Sequence, residues 1–328
     1  PMNRLILTLT LTLFCVTPAL AQAAEVTDAT GRTVTIPDHI QHVLPAGPPA
    51  EALLAAIAPG QLIGVPEPLS DAAKTELPAA AANLPAAPRM TGHQDNTAAI
   101  QALRPDLIID YGTVSPRYKQ LAEDTQRKTG IPTLLFDGAL DQIPSVARTL
   151  GRILHQPERA EAVAQTAEAI LALPTPSAPH PSVLYARGAD GLLVAAPNTD
   201  VTAVFTRLGW RVLAPEGTGT FHKATIDQIR TLDPDIIILA DPAAKALFKT
   251  APWSALRAVR DAHAYIAPSG PFGWIEQPPS INRLLGLAWL RGGEPLTLAA
   301  LFNPPLYGHV LTQDQLLAIA GTTPSIKP

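Results

Sequence analysis

Cysteine is almost missing from this sequence: Cys15 is the only one in 328 residues. That excludes disulfide stapling, and if Cys15 is removed with a leader, thiolate catalysis and cysteine-ligated metal centres go with it. Charged residues are sparse at 16%, and the formal net charge is only -4 with both signs mixed along the chain. Binding to a nucleic-acid backbone needs a concentrated basic surface, which this distribution does not provide. Aromatics are scarce at 5%. The chain also lacks His-x-x-His, His-Glu-x-x-His, an EF-hand loop and a Gly-x-x-x-x-Gly-Lys-Ser/Thr phosphate loop. No local pattern joins a nucleophile, a base and an orienting group, so the chain reads as a non-enzyme without a catalytic cofactor.

Apolar residues are plentiful, at 47%, and the length suffices for two modest globular units with real cores. The 35 prolines predict short elements and stiff connections. Arg4, the apolar run from Leu5 to Val16 and the small residues of Pro18-Ala19-Leu20-Ala21 predict a signal peptide over residues 1–21. Cleavage after Ala21 or Ala23 would deliver the product to the periplasm. A retained anchor conflicts with the short apolar run and its closing proline, and bulky Leu13 and Phe14 disfavour lipoprotein processing at Cys15. No later stretch is long and apolar enough to span a bilayer.

Past the leader, residues 25–37 read as a β-hairpin turning at Gly31, Gln41 to Leu44 as a first core strand, and Pro48 onward as a helix stopped by Pro59-Gly60. Leu62-Ile63-Gly64-Val65-Pro66 reads as a second short strand.

One phrase occurs twice. Ala99 to Asp110, with Leu103-Arg104-Pro105-Asp106 followed by Leu107-Ile108-Ile109, is echoed by Gln228 to Leu239, with Leu232-Asp233-Pro234-Asp235 followed by Ile236-Ile237-Ile238. Each copy predicts a short helix that ends against a Pro-Asp corner and an apolar strand covered on both faces. The duplication predicts two α/β lobes of similar design. Further strands are expected at Gly130 to Phe136 and Ser182 to Ala186. Helices are expected from Ile143 to Leu154 and from Pro157 to Leu173, the latter ending in a proline-rich segment. The resulting plan is an N-terminal lobe over 22–155, a connecting helix over 156–176 and a C-terminal lobe over 177–328.

With these elements in order, the chain resembles the periplasmic solute-binding proteins of ABC importers that deliver ferric siderophores, haem, cobalamin and related metal chelates. The resemblance extends from Val26 to Leu317. It is carried by Asp28 to Pro37, the paired Leu-x-Pro-Asp phrases, Ala267 to Trp274, and Pro278-Pro279-Ser280-Ile281-Asn282-Arg283-Leu284. It implies two Rossmann-like lobes joined by a long helix, a ligand cleft between them and little hinge motion. It also implies a monomer that docks on an inner-membrane ABC permease through one acidic residue per lobe. Asp227 falls at that place in the second lobe, although a carboxylate near a helix start has its own stabilising role. The first lobe has Ala98 there, with Glu51 and Asp95 as nearby substitutes.

Open α/β sheets bind ligands at the carboxyl ends of their strands. That rule selects Tyr111 in the first lobe and Arg187 in the second, whose planar donor fork suits carboxylates or an oxyanion. His93 and Gln94 belong to a loop where the family commonly places recognition residues; His93 can bind a metal, donate to an anion or cap a turn. Phe221 and His222 belong to the corresponding glycine-bearing loop of the second lobe. Phe272, Trp274 and Glu276 form the densest candidate patch, with Trp274 expected to face the cleft rather than the core. Arg283 is expected to anchor its helix. The expected cargo is a metal chelate, namely a siderophore, haem or a corrinoid. A free metal ion or a small oxyanion such as molybdate is the near alternative; a periplasmic sensor component or α/β enzyme is the alternative of another class.

Overall fold

The first half of the chain begins with a hairpin of β1 (Ala24–Thr27) and β2 (Thr33–Ile36), followed by β3 (Val43–Pro45) and α1 (Pro48–Ile57). Short α2 (Asp71–Thr75), α3 (Ala79–Ala82) and α4 (Thr97–Leu103) lead to β4 (Leu107–Gly112), α5 (Pro116–Thr129) and β5 (Thr133–Asp137). Helices α6 (Ile143–Ile153) and α7 (Pro157–Leu171) complete it. This computed structural model describes residues 24–90, 95–175, 180–320 and 324–326; the expected signal peptide with Cys15, and the candidate residues His93 and Gln94, lie outside the described residues.

The second half runs through β6 (Ser182–Arg187), β7 (Leu193–Ala195), α8 (Ala203–Arg207), β8 (Arg211–Val212) and β9 (Phe221–Lys223). It continues with α9 (Ile226–Leu232), β10 (Ile236–Leu239), α10 (Arg257–Arg260) and β11 (Ala264–Ile266). Helices α11 (Arg283–Leu290), α12 (Pro295–Tyr307) and α13 (Gln313–Ala320) close the chain.

Each half has its own sheet. Parallel strands β3, β4 and β5 form the first, with β4 central. In the second, β6, β10 and β11 repeat that parallel arrangement with β10 central, and β7 and β9 extend it antiparallel. The repeated phrase thus forms α4–β4 in one half and α9–β10 in the other. The residue before each proline, Arg104 (φ 50°) and Asp233 (φ 42°), is left-handed, a conformation that ends a helix within one residue.

The corner aspartates then reach the neighbouring strand. Asp106 accepts the backbone N–H groups of Gln41 and His42, both at 2.8 Å, just before β3. Asp235 accepts the Ser182 N–H at 2.8 Å and its hydroxyl at 2.7 Å, where β6 begins. Two short sequence copies therefore make the same strand-to-strand tie.

The expected strand at Leu62 to Pro66 forms only isolated bridges, Val43 to Leu62 and Val65 to Ala86. Pro66 has no N–H to continue a ladder. Helix α7 buries Ala160, Val163, Ala164, Ala167 and Ile170 and packs on α1, α6, α11 and α12. One apolar cluster consequently runs from β3 and α1 through α7 into β6 and α11. Among the described residues, no helix is long and apolar enough to cross a membrane.

The hairpin is fastened by Asp28, whose carboxylate accepts the Thr30 hydroxyl at 2.7 Å, the Thr30 N–H at 2.9 Å and the Arg32 Nε at 3.0 Å. Arg32 also donates to the Thr133 carbonyl at 2.8 Å, joining the hairpin to β5. Burial pushes the Asp28 pKa up, but the donors from Thr30 and Arg32 outweigh it and hold the pKa below its usual value. The resulting stabilisation is present above the unfolded pKa of about 3.9 and is lost as pH falls through the lower folded value. Asp28→Asn is expected to cost about 3 kcal/mol at pH 7, measured by urea unfolding, and to show a smaller stability loss on acidification to pH 3 than the parent protein.

Candidate functional site

The carboxyl end of β6 and the first turn of α1 open onto a cavity of about 580 Å³ with walls from both halves. Pro48, Pro49 and Glu51 of α1, with Glu67 and Arg89, form one wall; Arg187, Phe272 and the Gln277-Pro278-Pro279 turn form the other. The α1 prolines occupy the first helical positions, where a missing N–H costs nothing and the rings stiffen the rim.

Arg187, the last residue of β6, is held in place from two sides. Its Nε donates to Glu276 Oε1 at 2.6 Å and its terminal nitrogen to Oε2, a bidentate pair. Tyr185 donates its hydroxyl to the same Glu276 oxygen at 2.7 Å, and the Phe221 ring lies 4.1 Å from the Arg187 guanidinium carbon. Burial raises the Tyr185 pKa, which keeps the phenol protonated as the donor. Glu276 is buried and Arg187 keeps 29% of its side chain exposed. The arginine therefore presents a partly free cation to the cavity, while Glu276 lines neither cavity and has both oxygens occupied by Arg187 and Tyr185, so it serves as the support. This corrects the expectation of direct ligand contact for Glu276.

Across the cavity, Arg89 pairs with Glu67 and donates to the Pro66 carbonyl at 3.3 Å. Glu51 sits beneath them, 2% exposed, and neither carboxyl oxygen has a hydrogen-bond partner in the protein. Burial pushes its pKa up to about 8 against the pull of the Arg89 charge. A buried carboxyl cannot meet a permease, so the structure overturns Glu51 as a docking residue.

A smaller cavity of about 210 Å³ adjoins α1 and is lined by Asp110, Tyr111, Thr113, Asp200 and Arg283. Tyr111 is only 1% exposed, so it contributes little contact surface. Burial pushes Asp110 up to about 6, opposed by the N–H donated from Tyr111. Arg283 donates to the carbonyl of Gly138 in the first half and to that of Ser280 at 3.0 Å in the second. Thr113 donates across the halves to the Asp200 carboxylate. Arg283 therefore ties one half to the other as well as anchoring its helix.

The remaining candidates divide. Phe272 lines the larger cavity, and Phe221 supports Arg187. His222 points its Nδ1 at the Pro215 carbonyl, 2.7 Å away, and lines neither cavity, so its place is within its own loop and contrary to the expected ligand contact. Trp274 is fully buried and donates its indole N–H to the Gly270 carbonyl at 3.2 Å. The expected cleft role of Trp274 is therefore wrong. A Cβ on Gly286 would come within 2.0 Å of the Trp274 carbonyl, so the α11 backbone is pressed against this loop and seals it. Asp227 is exposed in the first turn of α9 and pairs with Arg230. Sequence reasoning missed Arg89 and Glu67, which carry no local signal and become a wall only when the chain folds back on α1. Among the described residues, no three His, Cys, Asp or Glu side chains converge to hold a metal ion.

The model of the periplasmic binding protein family matches residues 54–271, well over half the chain and including both copies of the repeated phrase. The chain belongs to the periplasmic binding protein family. Solved structures agree with that fold. An ABC transporter solute binding protein from Sulfurospirillum deleyianum is 24% identical, with a TM-score of 0.78 over 90% of this chain and 98% of that one. The molybdate-bound periplasmic protein of Haemophilus influenzae is 15% identical, with a TM-score of 0.67 over 88% and 99%. A periplasmic heme binding protein from Pseudomonas aeruginosa is 24% identical, with a TM-score of 0.57 over 88% and 99%. No curated protein matches the chain in sequence. This periplasmic binding protein is thus a non-catalytic binder whose cavity has charged walls.

Because Trp274 is wholly buried and closely packed, Trp274→Ala is expected to remove about 3–5 kcal/mol of stability in urea unfolding. At a temperature where the variant stays folded, its cargo affinity should change far less than its stability does.

Proposed function

We propose that this periplasmic binding protein is the substrate-binding component of an ABC importer, and that it captures a metal chelate bearing anionic oxygens. Residues 22–155 and 177–328 act as lobes about the 156–176 connecting helix, with the cargo held between them. The observation that carries this reading is Arg187, whose Nε edge is held by Glu276 and whose guanidinium lies on Phe221, so that only its remaining N–H groups serve the cavity, with the Glu67-paired Arg89 on the other wall. Two cations supplied by opposite halves suit the peripheral carboxylates or catecholates of a chelate whose metal is already coordinated. A volume of about 580 Å³ lies within the usual range for small-molecule pockets and leaves ample room for a body larger than a tetrahedral ion. The continuous core through α7 supports limited hinge motion.

A small oxyanion is the second reading, favoured by the same pair of arginines. Docking on a permease is assigned to Asp227 and, in the first half, to Asp95, both exposed carboxylates beside the paired helices α9 and α4.

The test is native mass spectrometry of protein from its own periplasm, with metal analysis and an absorption spectrum. It is followed by titration with ferric citrate, a ferric tris-catecholate, haemin, cyanocobalamin and molybdate. A bound organic metal complex is expected. Molybdate binding alone would select the oxyanion reading, and failure of the whole panel would sink capture of either cargo. Arg187→Ala should weaken chelate binding by about 10- to 100-fold, the size of a lost charge-assisted contact.

A further inference from the structure

We propose that the Glu51 carboxyl group is a hydrogen-bond donor to an anionic oxygen of the bound cargo, and that it thereby sets which cargo the cavity accepts. The inference rests on the chelate reading above and assigns the side chain that reads the cargo's oxygen.

Glu51 is an anomaly as a structural residue. It lines the cavity between the halves, yet neither of its oxygens touches a donor or acceptor in the protein. Leaving a polar group buried without a partner is costly, and the cost is removed if the group meets a ligand. Its position also fixes its chemistry. It lies in the first turn of α1, where free amides favour negative charge, but burial overrides them and keeps the acid neutral below a pKa of about 8.

The charged groups around it make a cationic ligand a poor match. In the cavity wall these are Arg89, Glu67 and Arg187, with Glu67 and Glu276 each occupied by an arginine. Of the elements packed on α1, β4 brings Asp110 and Tyr111, and α12 brings Tyr307, which donates to Asn282. Helix α7 brings Arg159, committed to the Ala56 and Leu306 carbonyls; on α6, Arg148 is held by Glu161 and Glu168, and Arg152 contacts Thr149. Two arginines and a neutral acid thus surround one space, and all three offer hydrogens. A carboxylate, catecholate or hydroxamate oxygen can accept from all of them. A cargo presenting an ammonium or an N–H at that point would leave Glu51 unmatched or force it to ionise at a cost.

Proton linkage gives the proposal its sign. The donor is present below a pKa of about 8 and is lost as pH rises through it, so affinity falls with rising pH. For the parent protein, the Glu51 component of ferric citrate or ferric tris-catecholate affinity should fall about tenfold between pH 7 and 9. Glu51→Gln keeps a neutral donor of the same shape. It is expected to bind within about threefold of the parent at pH 7 and to lose that component of the fall. The chelate's own titration is common to both proteins and cancels in their ratio. Glu51→Ala should lose about tenfold at pH 7.

The test combines these calorimetric titrations with infrared difference spectra of parent minus Glu51→Gln, and thermal melts establish that each variant is folded. A protonated-carboxyl band at pH 7 that shifts to lower frequency on binding supports the proposal. Equal affinities of folded Glu51→Ala and the parent, or the same pH dependence in Glu51→Gln and the parent, would overturn the donor role while chelate capture stands. Carboxylate bands alone at pH 7 would also overturn it. If neither chelate binds the parent protein, the capture reading fails and the donor role falls with it.

Discussion

Each half of the molecule hangs on one carboxylate at the start of its central strand. Asp106 and Asp235 follow a proline that has just ended a helix, and both turn their side chains to the first amides of the adjacent strand. Three constraints meet in four residues: a left-handed residue, a ring that has no N–H to donate, and a carboxylate with a fixed reach. Together they set where the helix stops, where the strand starts and which strand lies beside it. The two sheets inherit the same parallel core of three strands, and the carboxyl end of β4 lines the smaller cavity and that of β6 the larger.

The site is governed by how charge is kept away from water. Arg187 stays ionised and partly exposed because Glu276 is buried behind it and Tyr185 satisfies the same carboxylate. Glu51 has no such partner, and the arginine that would keep it ionised, Arg89, is already paired with Glu67. The two buried glutamates thus differ in their partners: Glu276 is held by an arginine and a tyrosine hydroxyl, whereas burial without a partner raises the Glu51 pKa. One supports a cation and the other has no hydrogen-bond partner in the protein. Between the halves, Arg283 spends its donors on carbonyls from both, so the cavity walls are held at a set distance by a buried guanidinium rather than by a flexible tether.

Several elements were readable because their signals are local. The Pro-Asp corners, the apolar runs of β4 and β10, the hairpin turn at Gly31 and the paired helices α6 and α7 all depend on residues within a dozen positions of one another. The place of Arg187 at the cavity rim was also readable, since it directly follows a buried run and ends β6. Trp274 was misread because a proline- and glycine-rich loop near a cleft and one under a helix have the same composition; the close approach of Gly286 decided between them. Glu51 was misread for a similar reason. A carboxylate in the first turn of a helix is normally at the surface, and only the packing of both halves over α1 removes it from water.

The sequence alone determined the duplicated α/β plan and the family resemblance, because these rest on residue type and order over short spans. Tertiary structure decided which side chains share a cavity and which carry charge there. Arg89 and Arg187 lie far apart in the chain, and so do Glu51 and Phe272; each pair shares one cavity wall system only once the halves close on α7. Protonation followed from the same closure, since a carboxyl group's charge depends on what surrounds it more than on its neighbours in sequence.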